Sequence, residues 1–313
     1  MLVRISRVEQ MPRSISNQAT GRPFETERNI LKATAEHLKN PDLGPPAPET
    51  TMIVKVTQET RAIGKGSKSK PKKKVRDFII SSCMATGNPV DLARGQDGRK
   101  AGVLPCGGVA AELVSSERGL TPTTTRGNAF SYLPLDLSTG LRFHVNGNFL
   151  LQPNRRQLWS KPSSETGEFE TRWNICFMES VLLRAFLNLL EDLQELQGQN
   201  KIDARNFQSL WPRRSESESD FYPFVDAFYQ KIGSTEDAPA VIFNQSRWVP
   251  VHQCFFTDWN QTDPEDLRSS IKTLLNRHQE PKRCIELDKN VVSSIKKARA
   301  NKSFDDNTFD IQR

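Results

Sequence analysis

The feature that most constrains this chain is the run from Trp173 to Leu196. Ile175, Met178, Leu182, Phe186, Leu189, Leu193 and Leu196 recur at steps of three and four, the period that places side chains on one face of an α-helix. Gly198 supplies a stop. The spacing predicts a long amphipathic helix whose apolar stripe needs a second layer to cover it. The 313 residues leave room for one large or two ordinary domains. Hydrophobic residues at 36% are below the usual globular share but enough for a core, and charged residues at 26% are near average, so nothing in the composition demands disorder throughout.

The sequence before the helix reads mostly as strand. Residues 51–58 alternate apolar and polar, and Phe78–Met84 is a short apolar run. Between them Gly64–Asp77 has no apolar residue before Val75 and reads as an exposed basic loop. Residues 128–135 read as one strand with Phe130 and Tyr132 on a shared face and Pro134 at its edge. Residues 141–151 read as two strands joined by the turn dipeptide Asn146-Gly147. Gly107-Gly108 reads as a tight turn beside packed backbone. A helix over 24–39 comes first and is halted by Pro41 and Pro45. After the long helix come a helix at 221–232, strand-like residues 239–256 and a helix over 264–276 opened by Asp263-Pro264.

The predicted fold class is therefore α+β. A mixed or antiparallel sheet, with a hairpin and an arginine loop, leads into the long helix and then a helix-rich C-terminal part. The predicted organisation is a poorly structured N-terminus (1–23), a β-rich region (24–159) with the basic loop at 64–76, a helix-rich region (160–300) and a frayed tail (301–313). The N-terminus reads as interrupting a longer domain.

The formal net charge is +7. Lys65, Lys68, Lys70, Lys72, Lys73, Lys74 and Arg76 concentrate the excess. Such a run is most simply solvated surface, and it also suits nucleic acid or another acidic partner. Binding nucleic acid is thus an alternative function, and residues 70–76 offer a nuclear-import signal. The five cysteines are odd in number and form no C-x-x-C pair, which predicts reduced thiols in a cytoplasmic protein. Cys83 and Cys176 lie among apolar neighbours and read as core. No secretory leader and no apolar run of membrane-spanning length are recognised, so no membrane partner is expected. His252 and Cys254 are the one close pair of metal-ligand types, too few to predict a metal site. Glu216, Glu218 and Asp220 read as a solvated loop. The site candidates are Arg155 and Arg156, adjacent cations that can clamp a phosphate or carboxylate.

The block GNAFSYLPLDLSTGLRFHVNGNFLLQPNRRQLW, Gly127 to Trp159, carries Leu133-Pro134-Leu135, Thr139-Gly140-Leu141, His144-Val145-Asn146-Gly147 and Asn154-Arg155-Arg156 before Leu158-Trp159. ISSCM, LPCGGVAAEL at 104–113, Trp173-Asn174, SLWP at 209–212 and RWVPV at 247–251 flank it. Together they resemble sacsin-like proteins over roughly residues 78–295. The resemblance implies a non-catalytic module of a chaperone-type protein, coupling an ATPase domain to protein clients or other chaperones. In that family the ATPase domain is related to the ninety-kilodalton heat-shock chaperones. Its magnesium-binding Glu and Asn, its D-x-G-x-G adenine site and its glycine-rich lid are not recognised here. ATP and magnesium are therefore expected only in a preceding domain, and an ATPase in its own right is the second alternative. By analogy Arg155 or Arg156 would sense a γ-phosphate, since a cation there stabilises charge on the leaving group.

Overall fold

A computed structural model describes residues 2–10, 25–40, 49–60, 72–117, 119–123, 125–160, 167–243, 247–257, 283–285, 287–299 and 308–309, with four helical residues between 266 and 273. The chain divides into two compact units, Met1–Pro212 with Glu216–Phe224, and Arg213–Ser215 with Val225–Arg313. The division thus falls after the long helix, whereas the composition suggested a break near residue 160.

The first unit is built on an eight-stranded mixed sheet: β1 (Leu2–Gln10), β2 (Glu49–Thr60), β3 (Lys72–Met84), β4 (Cys106–Ser116), β5 (Gly119–Pro122), β6 (Asn128–Ser131), β7 (Leu133–Ser138) and β8 (His144–Gly147). The order is β1-β2-β3-β4-β8-β6-β7, with β5 beside β4. Every pairing is antiparallel except that of β6 with β8. Helices α1 (Glu25–Lys39), α2 (Asn88–Arg94), α3 (Gln96–Ala101) and α4 (Glu168–Gly198) complete it. The class is α+β.

Several local readings need correction. Leu2–Gln10 is a strand paired with β2, within the N-terminus expected to be poorly structured. Lys72–Asp77 continue β3, antiparallel to β2, so the basic run is partly strand; residues 61–71 lie outside the described residues. Gly107-Gly108 is not a turn but the middle of the sheet, in β4. Residues 128–135 are not one strand, because the chain reverses at Tyr132 (φ 60°) to make the β6–β7 hairpin. Asn146-Gly147 is not a hairpin turn either but the end of β8. Glycine is needed there because a Cβ would collide with the edge of the Phe177 ring. The dipeptide signal was outweighed by a tertiary contact.

The long helix is as the periodicity predicts, and it begins earlier, at Glu168. Trp173, Phe177, Val181, Ala185, Leu189 and Leu193 are all fully buried. A strict repeat of four drifts around an α-helix of 3.6 residues per turn. One wider π-helical turn, Met178–Leu182, takes up part of that drift and keeps the stripe on the sheet. By length and composition this 31-residue helix is apolar enough to cross a membrane, contrary to the sequence expectation, but 67% of its most apolar window is buried inside the fold, as in a core helix.

Strand alternation gives the sheet two distinct faces. Ile79, Ser81, Cys83, Val109, Ala111 and Val145 are all buried, and the Cys83 thiol donates to the Val181 carbonyl of α4 at 3.4 Å. Burial pushes that thiol up to about 12, so Cys83 is the core residue its neighbours predict, as is the buried Cys176. The opposite face carries α1.

The second unit contains β9 (Ala240–Phe243) paired with β10 (Trp248–Pro250), and β11 (Cys254–Thr257) flanked in parallel by β12 (Arg283–Ile285) and β13 (Thr308–Phe309). Helix α5 (Tyr222–Gly233) matches expectation and starts in the first unit; α6 (Lys289–Arg299) was not anticipated. Most of the helix expected over 264–276 lies outside the described residues. The tail, expected to fray, contains the strand β13.

Gly147→Ala is expected to lower stability by about 1–3 kcal/mol, the usual range for overpacking a tight core. Urea unfolding measures it, and an unchanged midpoint would mean that Phe177 does not need the glycine.

Candidate functional site

Two places in the first unit gather chemistry. One is the arginine turn. From Asn148 to Trp159 the chain has no regular strand, yet many of its backbone groups are paired, as buried backbone requires. Asn174, fully buried on α4, accepts from Leu150 N (2.9 Å) and donates to Leu150 O (2.7 Å) and Trp159 O (3.1 Å). Trp173 Nε1 donates to Asn148 O at 2.8 Å. Beyond these, Leu151 and Leu158 form an antiparallel bridge, and Gln152 N donates to Gln157 O at 3.0 Å. At the tip Arg155 N donates to Gln152 O (2.8 Å) and Arg156 N to Asn154 Oδ1 (2.9 Å). These bonds hold Arg155 at φ 56°, a conformation uncommon outside glycine. Both arginine side chains are exposed, and neither forms an ion pair or side-chain hydrogen bond among the described residues.

The other is a cavity of about 540 Å³ on the sheet face that α1 only partly covers. Neither arginine lines it. Its floor is made of small residues, Ser82 on β3 and Gly108 and Ala110 on β4, between the larger Phe78 and Phe130. Gly108 cannot enlarge, because a Cβ would lie 2.6 Å from both Ser81 O and Ser82 Oγ. β8 sets His144 and Asn146 on this face, opposite Ala110 and Gly108.

The His144 ring stands 6.1 Å from Phe78 and 5.7 Å edge-on to Phe130. Its Nδ1 accepts from Asn128 N at 3.0 Å, which leaves the neutral ring's proton on Nε2. Burial lowers its pKa; Glu112 opposes that shift and Arg76 adds to it. Asn146 Oδ1 accepts from Tyr132 N at 3.1 Å, so the amide nitrogen remains as a donor. That bond holds Tyr132 in its left-handed conformation at the cavity mouth, where the residue is half exposed. The Tyr132 hydroxyl and the Thr34 side chain lie near the Cys106 thiol. Burial pushes Cys106 up to about 11, so the thiol stays protonated at neutral pH and is a poor nucleophile. Burial also raises the pKa of Tyr132.

Of the basic run, Lys65, Lys68 and Lys70 lie outside the described residues. Lys72 and Lys73 are in β3, Lys74 is exposed, and Arg76 lies 3.5 Å from Glu112. Lys55 lies 3.7 Å from Asp77 on the same strand pair, so acidic neighbours offset part of the local charge. The acidic loop is not merely solvated. Glu216 accepts from Arg142 Nη2 and Nε (3.0 and 3.1 Å), and Asp220 accepts from Leu158 N at 3.2 Å. In the second unit His252 is half-buried beside the buried Cys254, and no group of three metal-ligand residues gathers among the described residues.

Over 240 residues, 74% of this chain, the sequence is 27% identical to Sacsin of Homo sapiens, and the match covers 5% of that protein's length. The chain is sacsin-like, and it spans a small part of this relative. No protein-family model matches it, and no solved structure does.

A histidine whose folded pKa lies below its ordinary 6.5 binds fewer protons folded than unfolded. Stability therefore rises with pH through that interval. It is complete above about 6.5 and falls as the pH drops below that value, levelling off under the folded pKa. Lowering the pH from about 7.5 to 5 is expected to destabilise the wild type more than His144→Gln. Thermal melts at the two pH values test this, and equal losses would contradict a half-buried, neutral His144.

Proposed function

We propose that this chain is a non-catalytic module of a sacsin-like, chaperone-type protein of the cytoplasm, coupling an ATPase domain to the binding of a protein client or partner. The observation that carries the reading is the arginine turn inside the sacsin-like region. Two adjacent guanidinium groups project from a backbone held by its own hydrogen bonds, with no acidic partner among the described residues. A pre-organised pair of this kind suits a phosphate or carboxylate that arrives from outside the unit, and arginine binds both through two parallel bonds. A γ-phosphate held by a separate ATPase domain is such a group. ATP and magnesium would be bound there, and this chain would respond to nucleotide state rather than perform the chemistry.

The purified chain, given ATP and magnesium, is expected to release phosphate no faster than a protein-free blank. Added at near-equal amounts to a heat-unfolding client protein, it is expected to slow light-scattering growth. ATP turnover that drops on Arg155→Ala or Arg156→Ala would overturn the non-catalytic reading and make the chain an ATPase.

A further inference from the structure

We propose that the cavity over the α1 face of the sheet is a binding site for an uncharged, flat aromatic small molecule with hydrogen-bond acceptors on its rim. Its volume of about 540 Å³ falls inside the range of roughly 300–1,000 Å³ in which proteins hold small ligands. Three observations set the ligand's chemistry. The walls are aromatic: Phe78, Phe130 and Tyr132 line the space together with the His144 ring, and rings prefer the offset or edge-on faces of other rings. No lysine, arginine, aspartate or glutamate lines it, so a charged ligand would lose its hydration without gaining a partner. Beside the hydroxyls of Ser82 and Tyr132, which can donate or accept, the His144 and Asn146 groups left for a ligand are donors. His144 Nδ1 and Asn146 Oδ1 are already occupied by Asn128 N and Tyr132 N, which leaves the Nε2 hydrogen and the Asn146 amide hydrogens. The two residues are two positions apart on the same face of β8, roughly 7 Å from each other along a strand.

Tyr132 adds an independent observation. An aromatic residue at φ 60° is strained, and strain of this kind persists where the surroundings hold it, often beside ligands. Here Asn146, itself a cavity residue, holds it. The inference goes beyond the coupling function, since it uses neither Arg155 nor Arg156; either can fail alone.

The test titrates the full chain with Nile red, an uncharged flat dye bearing a ring carbonyl, and follows its emission. Saturable one-to-one binding with a blue shift is expected. Ala110→Phe fills the floor and is expected to weaken binding about tenfold or more, the scale of at least one lost favourable contact set. Asn146→Asp keeps an acceptor for Tyr132 N but removes the donor, and is expected to weaken binding about fivefold to tenfold. Cooperative melting checks that each variant is folded; if Ala110→Phe is not, Asn146→Asp decides. The anionic dye anilinonaphthalene sulfonate is expected to show no binding that responds to either substitution. The proposal is overturned if the wild type shows no saturable Nile red binding, if the folded variants bind it as tightly as the wild type, or if the anionic dye occupies the same site as tightly.

Discussion

One amide ties the functional surfaces to the core. Asn174 sits fully buried on α4 and gives its side chain to three backbone groups, Leu150 N, Leu150 O and Trp159 O. The segment between β8 and Trp159 has little ladder to join, so without this residue Leu150 N and Trp159 O would lose their partner and Leu150 O would keep only Trp159 N at 3.4 Å, each lost bond to a buried group costing roughly 1–3 kcal/mol. Trp173, one position earlier, does the same for Asn148 O. The helix therefore has two jobs. Its repeat of four buries an apolar stripe on the sheet, and at its start it replaces a missing strand partner.

Alternation along β4 divides the sheet's two roles. Gly107, Val109 and Ala111 point toward α4, where Phe177 presses so close to Gly107 that a Cβ there would lie 2.7 Å from the ring. Cys106, Gly108 and Ala110 point the other way and stay small, and the space above them is not filled by α1. One face is sealed and the other is hollow, with His144 and Asn146 displayed beside the hollow by the same period of two on β8. The face packed on α4 lies directly beneath the cavity floor.

What could be read from the sequence follows from how local each signal is. The stripe from Met178 to Leu196 is local, and the helix is there. Ile175 was counted into it but is only half-buried, while Trp173 and Asn174 face inward, because the π turn shifts the phase. The adjacency of Arg155 and Arg156 is local too, and the turn displays both. Asn146-Gly147 misled because its meaning comes from two distant residues: Phe177 requires the glycine and Tyr132 uses the asparagine. The cavity was not legible at all. It depends on β3, β4, β6 and β8 lying side by side in an order that differs from chain order, and no periodicity within one strand encodes that.

The arginine turn depends on the irregular segment being held by α4 as firmly as a strand would be. Amide hydrogen exchange at Leu150 tests this most directly. In the wild type the Leu150 amide is expected to exchange as slowly as core amides of β4 such as Val109, opening only with the whole unit. In Asn174→Ala it is expected to exchange markedly faster while Val109 stays protected. Fast exchange at Leu150 in the wild type, at the rate of an exposed loop, would contradict the account: the arginine turn would then be a mobile loop, not a surface fixed by the helix.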